Sequence, residues 1–209
     1  DNTVIAGLTR MGVPIDDARD YTMLGCQEIE IPGKSNFGCE DGSVNLAKIL
    51  EYTLCHGHDR KYETKIGLDL GGTTDYKTFD DLWNAYVKEG QYITRLWCEI
   101  TNYGVDLRNA NVAKLVKSCT TDSCIERGLN LDAGGSIYNY GVVETAGHAA
   151  VSDSLYAMKK LVYEEKKITL EELEAAMAAN YSKFLKNRNL DFGVQLGDGI
   201  DNVTKYDEW

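Results

Sequence analysis

The chain has 209 residues, 43% of them hydrophobic and 26% charged, a composition typical of a soluble globular protein with a sizeable core. Its formal net charge of −11 argues against nucleic acids and anionic membranes as partners, because both bind basic surfaces. The sequence has no apolar run long enough to span a membrane and no signal-peptide pattern, so it predicts a cytoplasmic protein.

Two short helices and an extended segment are predicted at the start of the chain. A helix over residues 4–11 is expected to end at Gly12, and Pro14 begins the next helix. The stretch 21–25 is apolar and β-favouring, and Pro32, with the glycine that follows it, then turns the chain.

The middle of the chain reads as mostly helical. Ser43 is expected to cap a helix that continues through Leu54. Apolar residues at helical spacing predict a further helical stretch over 78–121, with a break at Gly104. The composition of residues 136–143 is that of a strand.

Two helices and an irregular tail are predicted for the last third of the chain. The first helix covers residues 145–165, and the second covers 170–180 with Thr169 as its cap. Residues 191–209 carry glycines and acids and read as irregular. Strands separated by helices predict an α/β fold in which helix exceeds strand.

The six cysteines fit neither a disulfide framework nor a metal site. The sequence contains no C-x-x-C pair, and Cys119 and Cys124 lie five residues apart without a matching second pair. A chain of this length does not depend on disulfides for its stability. We therefore expect free thiols in a reducing compartment and no bound metal ion.

Residues 66–74 read Ile-Gly-Leu-Asp-Leu-Gly-Gly-Thr-Thr and resemble the phosphate loop of sugar kinases and actin-like ATPases. In that superfamily the loop is a β-hairpin turn near the start of the chain. Here a predicted helix follows it, and a second phosphate motif and an adenosine motif are not evident downstream. An actin-like sugar kinase built on Asp69–Thr74 is one alternative hypothesis.

The segment Gly25-Cys26-Gln27-Glu28 carries a thiol and a carboxylate two residues apart. If the segment is extended, side chains two apart point to the same face, so both groups would face one cavity. This arrangement suits a reaction in which sulfur removes an atom and the carboxylate moves a proton. The alternative is that Cys26 is a small buried hydrophobe and Glu28 a solvated acid.

Four stretches, in order, resemble the catalytic subunit of glycyl radical enzymes, the superfamily of pyruvate formate-lyase and its dehydratase and decarboxylase relatives. Residues 25–35 are similar to its Gly-Cys-x-Glu-Pro loop and the Pro-Gly-Lys-Thr that follows. Residues 124–139 resemble its Cys-Ile-Glu-Arg-Gly and Gly-Gly-Ala-x-Tyr-Asn segments. Two further matches precede and follow these, at 12–21 and 153–173.

The resemblance implies a ten-stranded α/β barrel with a cysteine loop, here near residues 21–42, inserted through its centre. Residues 1–209 would form one helix-rich, partial barrel domain. Cys26 would be the thiyl residue and Glu28 the acid/base, with Gln27 and Cys39 as weaker candidates for substrate contact.

The leading reaction that the resemblance implies is radical dehydration of a small hydroxylated or carboxylated substrate. Decarboxylation and C–C or C–S cleavage, including a formate acetyltransferase-like reaction, are alternatives. Pyruvate formate-lyase carries two adjacent cysteines, whereas Gln27 follows Cys26 here, and this difference disfavours acetyl transfer.

The glycyl radical motif of the superfamily, Arg-Val-x-Gly followed by an aromatic residue, does not occur in the chain. The C-terminal glycyl radical domain is therefore expected to be absent, and the chain alone to be inactive. The implied partners are a small-molecule substrate, a radical S-adenosylmethionine activase with an iron–sulfur cluster, the remaining parts of the same subunit and, optionally, a second copy in a homodimer. A third hypothesis is a non-catalytic truncated module that binds a partner.

Overall fold

The computed structural model describes residues 1–25, 28–36 and 41–178. The chain divides into two compact units. The first comprises Asp1–Ser43 and Leu96–Glu144, and the second comprises Val44–Arg95 and the described residues from Thr145 onward. The second unit thus begins inside the sequence of the first.

The described residues form an α/β arrangement that is rich in helix and has small sheets. In chain order, the helices are α1 (Asn2–Arg10), α2 (Ile15–Arg19), α3 (Leu46–Leu54), α4 (Phe79–Asn111), α5 (Leu115–Cys119), α6 (Cys124–Arg127), α7 (His148–Met158) and α8 (Leu170–Ala178). A 3₁₀ turn covers Leu131–Ala133, and a π-helical turn, Lys159–Glu164, continues α7.

The strands are short and pair two by two. In chain order they are β1 (Thr22–Leu24), β2 (Glu28–Glu30), β3 (Ser35–Asn36), β4 (Gly42–Asn45), β5 (His58–Asp59), β6 (Thr64–Lys65), β7 (Tyr138–Asn139) and β8 (Val143–Ala146). The pairs β1–β2 and β5–β6 are antiparallel, β3 runs parallel to β7, and β4 pairs with β8.

Three sequence predictions about element ends are wrong. Ser43 lies in β4, and α3 is instead capped by Asn45, whose side chain accepts hydrogen bonds from the backbone of Ala47 (3.0 Å) and Lys48 (3.1 Å). The helix predicted from residue 145 begins at His148, because β8 occupies the preceding residues. The strand predicted over 136–143 is divided between β7 and β8.

The predicted break at Gly104 is also wrong, because α4 runs through this residue for 33 residues in all. A glycine inside a helix costs only about 1 kcal/mol, which a helix of this length tolerates. The capping prediction at Thr169 is confirmed. Its Oγ1 accepts from Glu172 N (3.1 Å), and Glu172 Oε2 accepts from Thr169 N (3.0 Å). Residues 179–180 and the predicted tail lie outside the described residues.

Each unit has its own apolar core. The core of the first unit lies between α1, α2 and the chain after β2, and its buried residues are Leu8, Val13, Ala18 and Ile31. The core of the second unit is larger and includes Leu50, Leu54, Leu82, Val151, Leu155, Met158 and Leu173. Cys55, Cys98, Cys119 and Cys124 are free thiols. Among the described helices, none is both long and apolar enough to cross a membrane.

We expect Leu82→Ala to lower the free energy of unfolding by about 2–5 kcal/mol, because it leaves a cavity in the core of the second unit. Leu82 is 0% exposed. The matched control is Asn84→Ala on the exposed face of the same helix, which should change this free energy by less than about 0.5 kcal/mol. Urea unfolding of the chain measures both, and equal effects would contradict the assigned core.

Candidate active site

The segment that carries the predicted thiol and acid is a β-hairpin in the first unit. Strands β1 and β2 pair antiparallel, with Thr22 opposite Glu30 and Leu24 opposite Glu28. Gly25 follows β1 as a turn residue with φ +47°. The extended conformation assumed for residues 25–28 is therefore interrupted at Gly25. Cys26 and Gln27 lie outside the described residues, so the prediction that Cys26 and Glu28 share a face stays a prediction.

Glu28 is buried, with 5% of its surface exposed, and it is not the solvated acid of the alternative interpretation. Its carboxylate lies against the backbone of Gly25. An ideal Cβ on that glycine would be 2.7 Å from Glu28 Oε2 and 2.9 Å from Oε1. The structure thus places a buried carboxyl group beside the backbone of the residue that precedes Cys26 in the sequence.

The hairpin is attached to the core by the residues that follow its second strand. Ile31 is 1% exposed and packs in the core of the first unit. Ser35 Oγ donates to the carbonyl of Ile31 (3.0 Å) and accepts from its N–H (3.1 Å). Tyr140 Oη donates to the carbonyl of Ile29 over 2.9 Å. These contacts fix the backbone on the C-terminal side of Glu28.

Asp17 links the helix before the hairpin to the segments after it. Lys34 Nζ lies 2.5 Å from Asp17 Oδ1, and Tyr138 Oη donates to Asp17 Oδ2. The hydrogen bond from Lys34, followed by that from Tyr138, lowers the pKa of the Asp17 carboxyl. The hydrogen bond to Asp17 raises the pKa of Tyr138 to about 12. The Asp17 carboxylate thus joins α2, the end of the hairpin region and β7.

Sequence reasoning did not identify Asp17, Tyr138 or Tyr140 as neighbours of the hairpin. A signal was present, because Tyr138 and Tyr140 lie two residues apart in a predicted strand and so point to one face. Asn139, between them, accepts a hydrogen bond at its Oδ1 from Asn36 Nδ2 over 2.9 Å.

A polar cavity of about 190 Å³ lies on the Asn36 side of this strand pair, within the first unit. Two buried carboxylates line it, and each is paired with a cation. Asp132 Oδ1 lies 2.9 Å from Lys114 Nζ, and Arg108 Nη2 lies 3.2 Å from Asp41 Oδ1. Asp132 also accepts from Asn36 Nδ2 over 3.3 Å. The two carboxylates and the two cations leave the cavity wall without net charge. We interpret these ion pairs as contacts that hold the neighbouring strands in place.

Asp41 is bound at both its backbone and its side chain. Its N–H donates to the carbonyl of Val142 over 2.9 Å, and its Oδ2 accepts from Val142 N over 3.0 Å. Cys39 belongs to residues 37–40, which lie outside the described residues, so its predicted contact with substrate stays a prediction.

The Asp69–Thr74 loop lies in the second unit and contacts protein groups. Asp69 Oδ1 accepts a hydrogen bond from His56 Nδ1 over 3.0 Å, which is the main cause of its lowered pKa. Glu89, which is 0% exposed, accepts from Leu68 N through both carboxylate oxygens at 3.0 and 3.2 Å. Within residues 1–25, 28–36 and 41–178, no group of three or more His, Cys, Asp or Glu side chains could hold a metal ion.

Comparisons with known proteins agree on one family. A family model for pyruvate formate lyase-like proteins matches residues 1–206. The chain is 30% identical over 184 residues to an isethionate sulfite-lyase of Oleidesulfovibrio alaskensis, covering 87% of the chain and 22% of that protein.

Solved structures give the same result. A structure on 1,2-propanediol dehydration in Roseburia inulinivorans matches with a TM-score of 0.77 and 31% identity, covering 98% of the chain and 24% of that protein. A glycyl radical enzyme of Archaeoglobus fulgidus matches with a TM-score of 0.80 and 25% identity, covering 88% of the chain and 23% of that protein. The chain therefore spans about a quarter of the length of these relatives.

We expect Lys34→Met to raise the pKa of the Asp17 carboxyl towards its ordinary value, because it removes the hydrogen bond that lowers this pKa most. A carboxyl whose pKa is lowered by folding stabilises the folded state above its unfolded pKa of about 3.9, and this stabilisation is lost as the pH falls through the folded value. In the variant the stabilisation from Asp17 should therefore be smaller, and its loss should be complete at a higher pH.

Carbon-13 NMR of the Asp17 carboxyl measures this shift, and acid unfolding measures its consequence. Lys88→Met, on the exposed face of α4, is the control and should leave the Asp17 titration unchanged. An unchanged Asp17 titration in Lys34→Met would show that the contact does not exist in solution.

Proposed function

Because the chain belongs to the pyruvate formate lyase-like family, we propose that it is a segment of the catalytic subunit of a glycyl radical lyase. The similarity to the Archaeoglobus fulgidus glycyl radical enzyme and to the isethionate sulfite-lyase supports this proposal. Residues 1–209 would be one part of a ten-stranded α/β barrel, with the cysteine loop near residues 21–42. This family membership leaves the actin-like kinase alternative without support.

The observation that carries the proposal is the position of Glu28. It is a buried carboxyl group on β2, and its carboxylate lies against the backbone of Gly25. A buried acid next to the residue that precedes Cys26 in the sequence suits proton transfer that is coupled to radical chemistry at sulfur.

In the proposed reaction, the Cys26 thiyl takes a hydrogen atom from a substrate carbon, which forms an S–H bond and leaves a carbon radical. Glu28 accepts the proton of the hydroxyl on the radical carbon and returns a proton to the hydroxyl on the neighbouring carbon, which leaves as water. The product radical takes the hydrogen atom back from the thiol, and the thiyl is restored. Gln27 and Cys39 are proposed to contact the substrate.

Dehydration of a small hydroxylated or carboxylated substrate is the leading reaction. The similarity to the structure on 1,2-propanediol dehydration supports it, and the isethionate sulfite-lyase supports C–S cleavage as the next candidate. The radical would reside on a glycine outside this chain and be installed by a radical S-adenosylmethionine activase. The active species would then need the remaining parts of the subunit, in a cytoplasmic setting where free thiols persist.

The test uses the full-length subunit that contains this chain, activated anaerobically with its activase and S-adenosylmethionine. Electron paramagnetic resonance reports the glycyl radical, and 1,2-propanediol and isethionate serve as substrate probes. We expect a glycyl doublet, with Cys26→Ser and Glu28→Gln each lowering turnover by about 10² or more while the doublet survives.

Two control variants carry the same Cys→Ser and Glu→Gln substitutions at other positions. Cys98→Ser replaces an exposed thiol on α4, and Glu30→Gln replaces an acid two residues along β2 from Glu28. Both should retain the doublet and turnover. Turnover that does not depend on Cys26 would reject the mechanism, and a folded subunit that yields no doublet would favour the non-catalytic module.

A further inference from the structure

We propose that Gly25 is a positioning residue for Glu28: the missing side chain at Gly25 creates the space that the Glu28 carboxylate occupies. This inference rests on the proposed acid/base role of Glu28. It means that the site requires a glycine at position 25 in addition to the cysteine and the glutamate.

The contact involves the whole carboxylate group. An ideal Cβ on Gly25 would lie 2.7 Å from Oε2, 2.9 Å from Oε1 and 3.1 Å from Cδ of Glu28. Real Cβ atoms essentially never approach other heavy atoms within 3.0 Å. Any side chain at Gly25 therefore has to displace the carboxylate, because the two cannot occupy the same space.

The displacement should occur in the side chain, because the backbone of Glu28 is paired with β1 and held by the residues that follow it. Leu24 and Glu28 are opposed in the β1–β2 register, which fixes the start of the strand. Tyr140 Oη holds the carbonyl of Ile29, and Ile31 is buried in the core. A larger residue at Gly25 would thus rotate the Glu28 carboxylate away while the hairpin stays in place.

The chain supplies a matched control for backbone strain. Gly25 and Gly33 both have positive φ, at +47° and +72°, so alanine is strained at either position. A Cβ on Gly33, however, would meet no atom within 4 Å. Gly33→Ala therefore measures the cost of strain alone, and Gly25→Ala measures strain together with displacement of the carboxylate.

The experiment compares both variants in the activated full-length subunit. We expect each to retain the glycyl doublet and to melt at a similar temperature. Gly25→Ala should lower kcat for 1,2-propanediol or isethionate by about 10-fold or more, whereas Gly33→Ala should change it by less than about 3-fold. Crystal structures supply a readout that needs no turnover. The Glu28 carboxylate should move by about 1 Å or more in Gly25→Ala and stay in place in Gly33→Ala.

A rescue variant keeps the inference falsifiable if Gly25→Ala folds poorly. Glu28→Asp shortens the acid by one methylene and withdraws the carboxylate from Gly25. In the Glu28→Asp background, adding Gly25→Ala should cost no more activity or stability than Gly33→Ala does, because only the backbone strain remains, so the two changes are non-additive. Independent, multiplicative effects would overturn the inference, and so would a double variant that folds no better than Gly25→Ala.

The outcomes separate this inference from the proposed function. A full-length subunit without a doublet, or with turnover indifferent to Glu28→Gln, would reject the proposed function. The result could instead be a doublet and turnover that depends on Glu28, with Gly25→Ala indistinguishable from Gly33→Ala in kcat and in the carboxylate position. That result would reject the role of Gly25 and leave the proposed function in place.

Discussion

The candidate site depends on the bonds of one carboxylate, that of Asp17. It receives hydrogen bonds from Lys34, beyond the hairpin, and from Tyr138, on β7. Charge-assisted bonds of this kind are stronger and more directional than those between neutral groups. Because helix α2, the hairpin region and β7 meet at Asp17, the short strands do not have to hold the hairpin by themselves.

The strands β3 and β7 and the residue after them link the hairpin region to the polar cavity of the first unit. Ser35 makes hydrogen bonds to Ile31, directly after β2, and Tyr140 donates to the carbonyl of Ile29 in β2. Asn36 reaches the cavity wall, in which buried carboxylates are paired with cations. A cavity wall of balanced ion pairs is costly to disturb, because removing one partner leaves a buried charge. The residues beside the hairpin are therefore held both by the hairpin backbone and by the cavity wall, and this support helps to fix the position of a carboxylate on the hairpin.

The sequence predicted correctly those features that depend on interactions between residues close together in the chain. The capping box at Thr169 and the turn after Pro32 depend on residues within four positions, and the structure contains both. The prediction that Ser43 caps α3 is wrong because Asn45, two residues later, is the N-cap of this helix. The grouping of Asp17 with Tyr138 could not be predicted from spacing, since 121 residues separate them. The family resemblance made Cys26 and Glu28 the candidate catalytic residues, but it did not indicate that Gly25 is in contact with the acid.

The parallel pair β3–β7 has a consequence for biosynthesis. Its opposed residues, Ser35 and Tyr138, lie on either side of the whole stretch Val44–Arg95, which belongs to the second unit. Contacts at such separation form late, because closing a long loop costs chain entropy before any contact compensates for it. During translation, the hairpin leaves the ribosome about 100 residues before Tyr138 and Tyr140, at roughly 5–20 residues per second. For those seconds the hairpin region folds without the hydrogen bonds that these two tyrosines make to Asp17 and Ile29.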